Sequence, residues 1–424
     1  MRLRAIPPAA VERPLVCFRG GKALTVLLLT LATAAPACAT QAEADLPSAG
    51  ADRDPVVLSF ATVGDSREDP ATPGLSAQDR QWLQNTPAWS RLIREIGGQH
   101  PQLLFFNGDM IMGYGKLDPA APAVRLDPAT GAIVDVSGYT QFYAWYAYWR
   151  GMVANLFETG TYVVPVPGNH EVQDKGLGKK AQPANEALWR ANMGDLILDA
   201  RRFQAVVGQP ATHYSGDAAE PAIADPAVLD GFGGSQRQLT YSFDVGDTHF
   251  VVLDTDPVGH DGSVAVQWLA QDLASAFQRR QMKHLFLFGH KPPFSYTYAD
   301  TATPDGFADG APGGNRDQFW DLVNRYGGTY FCGHQHIYHI EQPALAQGKP
   351  AWQVIVGSGG SPFSAGGSKK KTGVTRHPAT DLTYAWAQVQ VHRSGRVELQ
   401  TWGFDQDFSA TRRLDAVELQ AARP

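Results

Sequence analysis

Residues 162–171 read Tyr-Val-Val-Pro-Val-Pro-Gly-Asn-His-Glu, an apolar run that stops at a glycine and passes directly into side chains able to bind a metal. The same punctuation closes the runs VVLSFATV at Gly64-Asp65, LLFFN at Gly108-Asp109, HLFLF at Gly289-His290 and TYFC at Gly333-His334. Short runs rich in β-branched and aromatic residues and bounded by glycine read as buried strands. Ligands of open α/β sheets gather just beyond the carboxyl ends of strands. A glycine at that place lets the chain turn sharply and approach an ion closely, because it carries no Cβ. Five such turns meeting at one edge make a metal site.

The donors agree with this. Asp65, Asp109, Asn169, His290, His334 and His336 offer carboxylate, amide and imidazole atoms without a thiolate, a set suited to Zn, Mn or Fe rather than to a closed structural zinc. Six donors exceed what one tetrahedral ion takes. They suit two ions sharing a carboxylate, with positions left for water and substrate.

Taken together, GDSR at 64–67, NGD at 107–109, GNHE at 168–171, GH at 289–290 and GHQH at 333–336 resemble, in order, the motifs of the calcineurin-like metallophosphoesterases. Within that family the chain looks most like the purple acid phosphatase branch; YSFDVGDTHFVVLDTD from Tyr241, QWL from Gln267 and VGSGGSPF from Val356 extend the likeness over residues 55–405. The resemblance implies a two-sheet α/β sandwich of mixed strands flanked by helices, with the metal site at the strand carboxyl ends. It implies that Asp109 bridges two divalent or mixed-valence ions, with Asp65 and His336 on the first and Asn169, His290 and His334 on the second. His170 then faces the substrate without ligating, and donates a proton to the leaving group or stabilises transition-state charge. Glu171 orients its neighbours. If residues 334–336 are extended, His334 and His336 point the same way.

Two positions depart from the pattern. Where many members carry a metal-binding histidine the chain has Arg67, which has no lone pair to donate. Arg67 is read either as a bidentate clamp on substrate phosphate or as an ion-pair partner of Glu68, Asp69 or another acid. Purple acid phosphatases place a ligating tyrosine three residues after the bridging aspartate; here that place holds Met112, and Tyr114 reaches the metal only if the loop is rebuilt. The first ion is left with Asp65, Asp109 and His336.

The amino terminus carries Arg13, Arg19 and Lys22, then ALTVLLLTLATAA, then Ala37-Cys38-Ala39, which reads as a secretory signal over residues 1–39. A rival reading makes Cys38 the lipidated first residue of an anchored lipoprotein. Either way the expectation is an exported, periplasmic or secreted protein with no integral membrane segment in the mature chain. Cleavage after Ala39 removes five basic residues and one acidic one, taking the formal charge from −6 to −10. That balance argues against a dedicated nucleic-acid partner. With Cys17, Cys38 and Cys332 the only cysteines, stability comes from the core and bound metal rather than from disulfides.

Along the chain, residues 40–54 read as a flexible leader, residues 55–405 as one catalytic domain with insertions at about 110–160 and 174–238, and residues 406–424 as a tail. Helices are expected over 77–96, 184–196, 264–280 and 316–325, and an antiparallel hairpin near the end. The aromatic stretch 139–149 reads as a helix packing over the sheet, His249, His284 and Cys332 as core residues, and Lys369-Lys370-Lys371 as solvated surface; His260 and His339 lie near loops that could face the cleft. Function follows as an exported binuclear phosphoesterase, hydrolysing a small-molecule or macromolecular phosphate monoester or diester by attack of hydroxide held on the metals. The alternatives are a non-catalytic phosphate- or metal-binding protein with a degenerate first site, and a hydrolase of a non-phosphate ester or amide.

Overall fold

The computed structural model describes residues 54–419 apart from 116–123, 127, 131–132, 137, 217–223, 280, 297–306, 308–312, 344–350, 365–372 and 376–381. Residues 1–39, read above as a signal, lie outside the described residues, Cys38 among them, as do Lys369-Lys370-Lys371 and residues 40–53 of the expected leader.

The chain opens with β1 (Val56–Val63), α1 (Ala77–Trp82), α2 (Thr86–Gly98) and β2 (Leu103–Asn107). The first insertion holds β3 (Val124–Leu126), β4 (Ile133–Val136) and α3 (Gly138–Glu158), and leads into β5 (Tyr162–Val166) and the short α4 (Asn169–Val172). The second carries β6 (Gln173–Asp174), β7 (Lys180–Ala181), α5 (Pro183–Met193), α6 (Ala200–Val207) and α7 (Pro226–Asp230). Next come β8 (Tyr241–Val245), β9 (Thr248–Val252), α8 (Val266–Gln278), β10 (His284–Phe288), α9 (Asn315–Tyr326) and β11 (Thr329–Cys332). The last elements are β12 (Tyr338–Pro343), β13 (Trp352–Val356), β14 (Gly373–Thr375), β15 (Thr383–His392), β16 (Val397–Asp405) and β17 (Arg412–Leu419).

Apart from β3-β4 and β6-β7, which pair separately, these strands form two mixed sheets, ordered β17-β16-β15-β1-β2-β5 and β14-β12-β13-β11-β10-β9-β8. The fold is the expected α/β sandwich flanked by helices. Parallel pairing in the centre, β1 with β2 with β5 and β9 with β10 with β11, aligns the carboxyl ends that carry the glycine turns. Phe60 of β1 lies between the sheets, with its ring centroid 5.6 Å from Phe105, 4.9 Å from Phe286, 5.7 Å from Phe288 and 5.8 Å from Phe331. Phe105 of the first sheet also stacks on Phe288 of the second at 3.7 Å.

Two expectations need correction. Residues 77–96 are not one helix. Leu83 turns into the left-handed region at φ 50° and closes α1, and the Asn85 side chain then accepts from Ala88 N to start α2, which has Pro87 in its first turn. Nor is 406–424 simply a tail, because β17 pairs antiparallel with β16 and extends the first sheet. The aromatic stretch does form a helix: Phe142, Trp145, Tyr146 and Trp149 of α3 fall on one buried face. Trp149 meets Trp89 of α2 and the edge of Phe106 on β2.

His249 sits inside a buried ionic network, 2.5 Å from Asp244 Oδ1 and 2.9 Å from Asp272 Oδ2, with Arg279 2.8 Å from Asp244. Burial works against its charge, but Asp272 and Asp244 overcome this and push its pKa up to about 9. A pKa raised above the unfolded value of about 6.5 stabilises the fold fully below that value and ceases to do so as pH rises through about 9. Thermal denaturation should therefore show the melting temperature falling between pH 7 and 10, with a flatter slope for His249→Gln. A second outcome tests the inter-sheet contact. Phe60→Ala should cost about 3–5 kcal/mol in chemical denaturation, the usual range for a fully buried aromatic.

Candidate metal centre

Each donor reaches the site from its own glycine turn. Asp65 follows β1, Asp109 follows β2 and Asn169 opens α4 after β5, all on the first sheet; His290 follows β10 and His334 and His336 follow β11, all on the second. At Gly108, φ is 82° and a Cβ would lie 2.6 Å from both Gly168 Cα and His290 Nδ1, so only glycine lets these turns come together. Asp65, Asp109 and His334 themselves adopt φ of 62°, 55° and 66°. Non-glycine residues held in the left-handed region concentrate at functional sites, where the surrounding structure enforces the strain.

Among the described residues the donors form two groups, Asp109 with His290 and His334, and Asp65 with Asp109 and His336, each with its ligand atoms within 4.8 Å of one another. Asn169 joins the former. Its Oδ1 lies 2.8 Å from His290 Nε2 and 2.9 Å from His334 Nδ1; these two nitrogens are 3.1 Å apart, and His290 Nε2 is 3.1 Å from Asp109 Oδ1. An ion bound at about 2.0–2.2 Å leaves its ligand atoms roughly 3–3.5 Å apart, so these four atoms fit a divalent cation. Two imidazole nitrogens facing one amide oxygen point the same way, since a shared cation satisfies all three. The other group is more open, with His336 Nε2 3.5 Å from Asp65 Oδ1.

The imidazoles are held by their remaining nitrogens. His290 Nδ1 donates to the Asn107 carbonyl at 2.7 Å and His336 Nδ1 to that of Pro362, leaving both Nε2 atoms for a metal. His334 instead presents Nδ1. The expectation that 334–336 is extended therefore fails: β11 ends at Cys332, and the left-handed turn at His334 aims the two histidines into different groups. Asp65 fixes that turn by accepting from His334 N at 3.1 and 3.0 Å.

The charges are strongly coupled. Burial opposes ionisation of Asp109, yet the basic side chains of His170, His290 and Arg67 hold its carboxyl well below the usual carboxylate range. Burial and the Arg67 charge push His170 well below its ordinary value, so His290 and Arg67 supply the compensating charge. His290 is pulled down by burial but carried up to about 9 by Asp109 and Asp65. A metal entering here displaces that proton. Glu171 accepts from Asp109 N, Met110 N, Ile111 N and Gly168 N at 2.8–3.1 Å, which pins the turn bearing Asp109 to the one bearing Asn169.

Arg67 pairs with neither Glu68 nor Asp69. Its Nε lies 3.4 Å from Asp109 Oδ2, with the side chain largely buried. His170 Nε2 is 3.6 Å from that same oxygen, and its Nδ1 meets the Met112 carbonyl; it falls in neither donor group. The Tyr114 hydroxyl accepts a hydrogen bond from Asn169 Nδ2. No periodicity in the sequence marks that contact. Ser364, whose hydroxyl accepts from His336 N, was likewise missed, since only folding brings it to the site. His260 and His339 lie outside both donor groups.

Comparison with known proteins places this geometry. No curated protein sequence matches the chain. A solved purple acid phosphatase from seeds of yellow lupin (Lupinus luteus) is similar at 12% identity and a TM-score of 0.52, over 86% of this chain and 53% of that one, so the chain spans about half its length. PhoD aligns at 15% identity over 86% of this chain and 72% of that one, with a TM-score of 0.48. A dimetal phosphatase from Danio rerio aligns at 11% identity over 86% and 99%, with a TM-score of 0.46. At such identities the likeness concerns the fold alone. The family model for calcineurin-like phosphoesterases matches residues 63–338, more than half of the chain and inclusive of all six donors, Arg67 and His170. The chain belongs to the calcineurin-like phosphoesterase family.

Proposed function

We propose that the chain is an exported phosphoesterase that uses two metal ions, drawn from Mn, Zn and Fe, to hydrolyse a phosphate monoester or diester with water. One observation carries this reading: two donor groups, each drawing on both sheets, share the single carboxylate of Asp109. Bound there, two divalent ions supply charge that polarises the phosphoryl oxygens and lowers the pKa of a water near 7.

The chain's own residues supply the rest. Asp109 turns Oδ1 toward His290 and Oδ2 toward Arg67. Arg67 brings a permanent charge to the rim of the open group, where a phosphate oxygen can exchange for Asp109 as its partner. His170 is anchored through Nδ1, leaving Nε2 on the cleft side to hold or pass a proton at the leaving-group oxygen. Export is supported by the basic, apolar and Ala-Cys-Ala succession of residues 13–39. The ion pair between Arg67 and Asp109 favours a second reading, a protein whose first site stays unfilled and which binds phosphate without turnover.

Initial rates of the chain from Thr40 onward, on a chromogenic phosphate monoester and the matching diester, separate these readings. Chelation should abolish turnover and Mn, Zn or Fe should restore it, with the faster ester assigning the subclass; no turnover with any metal favours the binding protein. Asp109→Ala should lose both metals and all activity, and full activity in that variant would sink the two-ion reading. His170→Ala should lose roughly 10²–10⁴-fold in turnover, the usual worth of a general acid or base. Its metal content, measured by atomic absorption, should stay at the wild-type value; a parallel loss of metal would put His170 among the ligands.

A further inference from the structure

The loop after Asp109 is built to bring Tyr114 against α4. Tyr114 N donates to the His170 carbonyl at 3.0 Å, and the Tyr114 carbonyl accepts from Lys175 N at 3.3 Å. Gly113 has φ 48°, and a Cβ there would lie 1.7 Å from the His170 carbonyl oxygen, so the approach requires glycine. Tyr114 is itself left-handed at φ 58°. Its ring centroid stands 3.7 Å from that of His170, and its hydroxyl meets Asn169 Nδ2.

The amide contact matters because the two ends of an asparagine side chain are nearly alike in shape and opposite in chemistry. Only the oxygen can bind a cation, and a half-turn about the last torsion would present a donor NH2 group in its place. Asn169 Oδ1 faces His290 and His334 at 2.8 and 2.9 Å, while its nitrogen is taken up by Tyr114. We infer that Tyr114 is a positioning residue for the metal group formed by Asp109, Asn169, His290 and His334: its hydroxyl accepts from Asn169 Nδ2 and so keeps Oδ1 turned toward the ion. This inference rests on the metal-site reading above. It assigns Tyr114 a role distinct from ligation, with the aromatic ring packed on the His170 imidazole rather than carrying the phenol to a metal.

Cobalt titration of the full chain, followed by d–d absorption and by equilibrium dialysis, tests it. Tyr114→Phe keeps the ring and deletes only the hydroxyl. It should weaken one of the two sites by about 10–100-fold, the usual cost of losing a group that orients a ligand, and leave the other unchanged. The weakened site should be the one that Asn169→Ala also weakens. In an Asn169→Asp background either side-chain oxygen can ligate, so adding Tyr114→Phe should cost threefold or less. The melting temperature of the chelated protein, equal in wild type and Tyr114→Phe, excludes general loosening. Wild-type affinity in Tyr114→Phe, or an equal loss in the Asn169→Asp background, overturns the inference. A phenolate charge-transfer band with ferric ion, absent from Tyr114→Phe, overturns it too by making Tyr114 a ligand. A wild-type chain that binds no cobalt fails the metal reading itself, and the inference with it.

Discussion

The site depends on the distance between the two sheets. Asp65, Asp109 and Asn169 hang from one, and His290, His334 and His336 from the other, so no metal group can be assembled within a single layer. Phe60 and the Phe105–Phe288 stack fill the space between the layers and leave no slack for sliding. Bonds at the rim then fix what the core approximates. The His290 imidazole reaches across to the Asn107 carbonyl, His334 N donates to Asp65, and Gly64 N donates to Val356 O at 2.8 Å. Ligand atoms need placing to a few tenths of an ångström, and side-chain packing alone does not deliver that.

The same arrangement explains why buried charge is tolerated. Asp65 and Asp109 are essentially inaccessible to water, and an unpaired carboxylate in such a place is prohibitively costly. Protons, a guanidinium and metal ions are alternative answers to one electrostatic demand. Glu171 answers a different demand, collecting four backbone N–H groups that the sharp turns leave without partners in a strand or helix. Burial and the Asp109 charge push its carboxyl up to about 7, while the N–H donors pull the other way.

Much of this was legible in the sequence because the signal is local. A glycine and a donor after each β-run can be read one segment at a time, and the parallel order of β1, β2 and β5 then brings the turns together without further information. What was not legible depends on partners distant in the chain or on backbone turns. The left-handed His334 undoes an argument from strand alternation, and β17 is recognisable only by its pairing with β16. Arg67 could have met any nearby acid; its backbone N donates to the Asp109 carbonyl at 3.3 Å, which commits it to that one. The sequence offers Tyr114 only as a candidate ligand, since nothing in its spacing from Asp109 reveals an amide across the loop.

These particulars make the two metal groups unequal. The group containing Asn169 has four donors, with His290 Nε2 2.8–3.1 Å from each of the other three. The other has three, one of them Asp109, whose Oδ2 lies 3.4 Å from the Arg67 guanidinium. A cation entering there must displace or coexist with a permanent positive charge that cannot be titrated away, whereas the cation beside Asn169 has only a proton on His290 to remove. An ion in the Asn169 group further draws charge from Asp109 and weakens what the shared carboxylate offers its neighbour. On the function proposed above, substrate phosphate would reverse the sign of that problem. Its oxygens would give Arg67 a new partner in place of Asp109 Oδ2, so that anion and second cation would favour one another's binding. On that reading, Arg67 beside Asp109 would tie filling of the first site to the arrival of substrate.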